Sequence, residues 1–157
     1  MEYALDDLLQ EEKELQFPHF NEETAWRLGS WLYKTAAAEN LPVTIDITLA
    51  GRRLFHAARP GTSPDNDAWI ERKIRLVNRT GRSSFYQGQR LKSLGKTIEM
   101  DMLLPESEYA PHGGCFPIIL KHTGVVGTIT VSGLPQEDDH KLVVRALRHV
   151  LKKGENV

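Results

Sequence analysis

Two stretches of this chain alternate with a period of two, and they constrain its fold more than any other feature. Val43, Ile45, Ile47 and Leu49 alternate with Thr44, Asp46 and Thr48. Val125, Gly127, Ile129 and Val131 alternate with Val126, Thr128, Thr130 and Ser132. That period belongs to a strand with two unlike faces. Each stretch also has a turn and a partner run beside it. Ala50-Gly51-Arg52-Arg53 turns the first into a returning strand at residues 54–59. Lys121-His122-Thr123-Gly124 joins the second to an apolar run at residues 115–120. Pro117 cannot donate to a ladder, so that run is expected at a sheet edge or a bulge.

The remaining chain reads as helix. Leu5, Leu8, Leu9 and Leu15 recur at near-helical spacing, which predicts an acidic amphipathic helix at residues 4–16. Asn21 caps a second helix with Ala25, Leu28, Leu32 and Ala36 on one side. Residues 60–67 read as a loop leading into a third helix at 67–80. It carries two stripes, Ile70/Ile74/Val77 and Trp69/Lys73/Leu76, and Gly81 ends it. Residues 83–94 read as a shorter helix, and residues 97–114 have no readable period. Glu137, Asp138 and Asp139 open a last helix whose core stripe is Val143, Ala146, Leu147 and Val150. Two hairpins with helices between them and at both ends predict an α+β fold around an antiparallel sheet. Val43, Ile45, Ile47, Leu49, Val125, Ile129 and Val131 are expected on one face, against the second and last helices. A length of 157 residues fits one domain, 1–157, with residues 1–16 as an addition to its core.

Charge and cysteine content exclude several classes. Twenty basic residues against 21 acidic ones give a net charge of −1, so no nucleic-acid partner is expected. Cys115 is the single cysteine, so no intrachain disulfide can form, which suits a reducing cytoplasm. No apolar run is long enough to cross a bilayer, and the acidic start lacks the pattern of a signal peptide.

Several groups carry candidate chemistry. Gly95-Lys96-Thr97 resembles the end of a phosphate loop, but Arg90 stands where that motif needs glycine. His112 and Cys115 have the spacing of two metal ligands or of a nucleophile and its base. Neither set is complete, so no metal is expected. From Arg52 to Lys96 the chain carries eleven basic and three acidic residues, either a solvated face or an anion site on the third helix. The even-numbered residues of the two central strands, Asp46, Thr48, Thr130 and Ser132 among them, form either an open polar face or the wall of a small-molecule pocket under the third helix. Gly113 and Gly114 are expected to serve a backbone need, by a positive φ or a close approach.

Gly113-Gly114-Cys115-Phe116-Pro117-Ile118, then residues 124–133, then Glu137-Asp138-Asp139-His140, resemble the GlcG/HbpS-like family, also labelled a haem-degrading domain. Within it the chain is most similar to an uncharacterised branch. Trp69 with Arg72-Lys73, and Ser83-Ser84, share in the resemblance, which covers the chain from about residue 21. It implies a profilin-like fold, with the terminal helices on one face of the sheet and the middle helices on the other. It implies homo-oligomers and, for some members, binding of haem or another small molecule. His112 is the candidate axial ligand by position.

Three functions follow as expectations. The first is an oligomeric small-molecule-binding module, haem being one candidate ligand, with Lys73, His112, Gly113, Gly114, Asp46, Thr48, Thr130 and Ser132 at its site. The second is an enzyme on a small metabolite, using Lys73 as a desolvated amine and His112 as acid or base. The third is a protein-interaction adaptor working through the acidic first helix. Surplus apolar surface motivates the oligomer: the leucines of the first helix, the doubled stripe of the third, and Phe116, Ile118 and Leu120.

Overall fold

A computed structural model describes residues 3–154. Met1 and Glu2, where the acidic start opens, lie outside the described residues, as do 155–157. The element order is α1 (Leu5–Glu14), α2 (Glu22–Ala38), β1 (Thr44–Leu49), β2 (Arg52–Ala58), α3 (Pro64–Thr80), α4 (Ser84–Leu94), α5 (Ile98–Met102), β3 (Cys115–Leu120), β4 (Gly124–Ser132) and α6 (Gln136–Gly154). The strands form one antiparallel sheet in the order β2-β1-β4-β3. Pro117 therefore lies on an edge strand, where its missing N–H costs no ladder bond.

The two sheet faces carry unlike cores. Val43, Ile45, Ile47, Ile129 and Val131 share one apolar cluster with Leu28 and Leu32 of α2 and Val143, Ala146 and Val150 of α6. α3 and α4 cover the opposite face. This is the α+β layering that the element order and the resemblance implied. Both alternating sets of the central strands are buried, so burial alone does not distinguish the faces. Their chemistry does: Thr44, Asp46, Thr128, Thr130 and Ser132 are buried under α3.

Local signals set the helix ends. Asn21 accepts from Thr24 N at 3.1 Å, in a reciprocal capping box. α3 begins at Pro64 rather than at residue 67, because Ser63 caps it and proline sits at its first position. Asp65 and Asp67 thereby belong to its first turn. β2 begins at Arg52, earlier than its apolar residues suggest.

Three further expectations are corrected. Val125 is 41% exposed instead of in the core. The β3–β4 register shifts between Ile118/Gly127 and Ile119/Val125, which leaves Val126 as the extra residue. Val126 packs against the main cluster in its place. Leu49, at the end of β1, is only half-buried. Phe116 and Ile118 are buried within the chain, so of the β3 residues expected at an interface only Leu120 stays partly exposed.

Residues 97–114 supply much of the missing cover. Ile98 and Leu104 join Leu76 and Leu91 in a second cluster, with Met102 and Tyr109 packed against it. Leu76, of the second stripe of α3, is thus covered by its own chain, while Trp69 stays half-buried. The same holds at α1, where Leu8 and, just past the helix end, Leu15 are buried, and Glu12 accepts from Arg82 Nη1 at 3.0 Å and Ser83 N at 3.2 Å.

Candidate functional site

α3 points Lys73 inward. Its side chain is 3% exposed, and Nζ donates to Val131 O at 3.1 Å and Asp139 Oδ2 at 3.3 Å. Asp139 comes from the first turn of α6 and is itself 2% exposed; its Oδ1 accepts from Leu134 N at 3.0 Å. Burial disfavours both charges. It lowers the Lys73 pKa, against the opposing pull of Asp139. It raises Asp139 to about 6, against the pull of the Lys73 ammonium.

The pair forms one wall of a cleft of about 380 Å³ between the start of α3, the end of β4 and the start of α6. Asn66, Trp69, His112, Ser132 and Gln136 line it further. That volume lies within the range of small-molecule sites. His112 is half-buried and meets Trp69 edge-on at 5.3 Å. Its pKa is lowered by burial first, then by the charges of Lys73 and Arg72. The Arg72 guanidinium covers the Trp69 ring at 4.5 Å.

The glycine pair shapes this end of the sheet. Gly114 has φ +132°, and a Cβ there would lie 2.6 Å from Lys73 Nζ while also striking Val131 O. A Cβ on Gly113 would strike Gln136 O, and its N–H donates to Gln136 Oε1 at 2.9 Å. The loop can therefore run close against the amine only as glycine.

A comparison of the chain with protein-family models matches residues 20–148 to the haem degrading protein HbpS-like family. The chain belongs to the HbpS-like family. A "UPF0303 protein" of Streptomyces avermitilis is 47% identical over 150 residues, covering 96% of this chain and 92% of that protein. The crystal structure of Ybr137w protein superposes with a TM-score of 0.91 at 33% identity, covering 98% of this chain and 91% of that one. A PduOC:heme complex shares the fold, with a TM-score of 0.67 at 14% identity over 82% of this chain and 93% of that one. The family model begins after α1.

This HbpS-like chain distributes the expected site residues over two places. Lys73, His112 and Ser132 line the cleft, and Gly113 and Gly114 support it. Asp46, Thr48 and Thr130 lie elsewhere. Thr130 Oγ1 donates to Cys115 Sγ at 3.2 Å, in a buried setting that pushes the thiol up to about 12. Asp46, fully buried, accepts from Thr48 Oγ1 at 2.7 Å and Arg53 Nε at 2.9 Å. His56 bridges it to α3: Nδ1 lies 2.9 Å from Asp46 Oδ2 and Nε2 2.8 Å from Asp67 Oδ1. Among the described residues, no group of three or more His, Cys, Asp or Glu side chains could hold a metal ion. Nor, among them, is any helix long and apolar enough to cross a membrane.

Sequence reasoning missed Asp139, Gln136 and His56. Asp139 read as one of three acids suited to a helix N-terminus. The cue to its inward place is the Gly133-Leu134-Pro135 break, which tucks the first turn of α6 under the end of β4. Gln136 and His56 carry no local signal, since their partners lie in distant elements.

Proposed function

We propose that this HbpS-like chain is a binding module that holds a small, neutral, oxygen-bearing molecule in the cleft beneath α3. The observation that carries this reading is the buried Lys73–Asp139 pair at the wall of a 380 Å³ cleft whose inner polar groups are neutral amides and a hydroxyl, with His112 beside them and the Asp65 carboxylate exposed to solvent. Asn66, Gln136 and Ser132 offer donors and acceptors without net charge, and Trp69 offers a ring edge. The internal pair leaves no unopposed buried charge to select an ion, and the exposed Asp65 carboxylate disfavours an anion.

Haem is the ligand suggested by the family's name and by the PduOC complex. His112 would be its axial donor here. The rest of the lining does not suit the macrocycle. Trp69 and Leu134 are the large apolar side chains of the cleft, against a lining of carboxylates, amides, a hydroxyl and an ammonium. A small polar ligand fits better.

The tryptophans make the test specific. Trp69 lines the cleft, whereas Trp26 and Trp31 sit on α2 beside a separate groove of about 420 Å³. Titration with glycolamide, followed by indole N–H signals in NMR, should shift Trp69 saturably and leave the other two in place. A response confined to Trp26 and Trp31, or no saturable response, would overturn the reading. A haemin titration should give no Soret shift that depends on His112; a shift abolished by His112→Ala would make haem the ligand.

The module is further proposed to act as a homo-oligomer in the cytoplasm. The family resemblance supports the first point and the single buried cysteine is compatible with the second. Trp26, 64% exposed, and Tyr33 are apolar surface on α2 that a neighbour could cover. Sedimentation as a monomer at every concentration would overturn the assembly.

A further inference from the structure

We propose that Lys73 Nζ captures a small aldehyde as an imine in this cleft, the aldehyde bearing hydroxyl or carbonyl oxygens rather than a charge. This inference rests on the binding reading above and adds a covalent step to it.

The geometry carries it. An amine that attacks a carbonyl must shed its proton, meet the substrate out of bulk water, and have an acid at hand to release the oxygen. Lys73 Nζ is buried, yet it forms part of the wall of a cleft large enough for a small molecule. Asp139 Oδ2 sits 3.3 Å from it, within reach of a proton exchanged during addition and loss of water. Val131 O, at 3.1 Å, fixes the amine from the strand side, and glycine at 114 leaves the space in which Nζ lies. Burial also lowers the amine's pKa and raises that of Asp139, so the two groups are drawn toward each other for proton exchange. A purely structural ion pair would need neither the cleft nor the glycine cradle at the nitrogen.

The substrate class follows from the remaining walls. Asn66, Ser132 and Gln136 are neutral hydrogen-bonding groups, suited to hydroxyl or carbonyl oxygens, and the exposed Asp65 carboxylate disfavours an anionic substrate. The Arg72 guanidinium is held over Trp69 and donates to Glu106 O, so it is not offered to a carboxylate. The Lys73 ammonium first passes a proton to Asp139. The freed Nζ lone pair forms a bond to the carbonyl carbon, the carbonyl π pair moves to oxygen, and protonated Asp139 gives that oxygen its proton. Asp139 then takes a second proton from nitrogen and returns it to the hydroxyl. The hydroxyl then leaves as water and the C=N bond closes, with no change of oxidation state.

The full-length protein is incubated with limiting glycolaldehyde and sodium cyanoborohydride, which reduces an imine to a stable secondary amine. Peptide mapping by mass spectrometry then locates the added hydroxyethyl group. The expected result is preferential labelling of Lys73 over exposed lysines such as Lys34, Lys92 and Lys141, suppressed by excess glycolamide. Denaturing the protein before labelling should abolish the preference. In Asp139→Asn, Lys73 labelling should slow at least tenfold while labelling of Lys34 is unchanged. Labelling of Lys73 no faster than that of exposed lysines in the native protein overturns the imine. If glycolamide still shifts the Trp69 signal in that case, the binding reading survives without it; if neither occurs, both fail.

Discussion

The two faces of the sheet solve one problem in opposite ways. Under α2 and α6, isoleucine and valine meet leucine and alanine, and the face is stable through removal of apolar area from water. Under α3, the same strands present hydroxyls and one carboxylate, and each buried polar group needs a partner. Lys73 finds Asp139 and Val131 O; Asp46 finds Thr48, Arg53 and His56; Thr130 finds Cys115. The difference teaches where function can sit. A close-packed apolar face leaves no room for a ligand, whereas a face held by discrete pairs can leave a cleft beside one of them.

The largest test of this contrast lies in the pair itself. Asp139→Leu should cost about 3–5 kcal/mol in denaturant unfolding, because it leaves the Lys73 ammonium buried and unpaired. A loss near zero would mean that Lys73 reaches water. Ile129→Ala, on the apolar face of β4, should cost about 2–5 kcal/mol, since the side chain is fully buried. A loss below about 1 kcal/mol would contradict its place in the core.

Acid-range stability sharpens the comparison further. The Asp139 carboxyl binds its proton more tightly in the folded chain, with its pKa raised from 3.8 to about 6. Its contribution is therefore fully present below pH 3.8 and is lost as pH rises through about 6. Relative to Asp139→Asn, the wild-type protein should lose stability across that window and run parallel above it, as read by chemical unfolding at stepped pH. A gap that widens in favour of the wild type across the window would show that the carboxylate is not desolvated.

The smallest effect is expected next to Ile129. The Thr128 hydroxyl is buried with no hydrogen-bond partner among the described residues. Thr128→Val should leave stability unchanged or raise it by up to about 1 kcal/mol. A clear loss would reveal a partner for that hydroxyl and a more fully satisfied polar face.

The same contrast explains what the sequence made legible. The apolar face was readable because period two is a local property, and Ile45, Ile47, Ile129 and Val131 lie where alternation puts them. Val125 failed because the bulge that shifts it depends on β3, which the spacing within β4 does not contain. The start of α3 was readable in principle from Ser63-Pro64, a cap followed by a first-position proline, but the Pro/Gly/Ser composition around it resembles a loop. Residues 97–114 were opaque because their order comes from Leu76 and Leu91 in other helices. On the polar face, Lys73 and the glycine pair stood out by residue type. Asp139 and His56 did not, because a buried acid and an exposed one look alike until the distant partner is placed.

The most direct measurement of the central claim is a double-mutant cycle on Lys73 and Asp139. These two groups close the polar face together, each burying a charge that the other compensates. Lys73→Met and Asp139→Leu should each destabilise the protein, and the double variant should be more stable than their summed losses predict, by about 1–3 kcal/mol. Losses that add without coupling would show that the two charges do not meet, and would remove the wall on which the cleft is built.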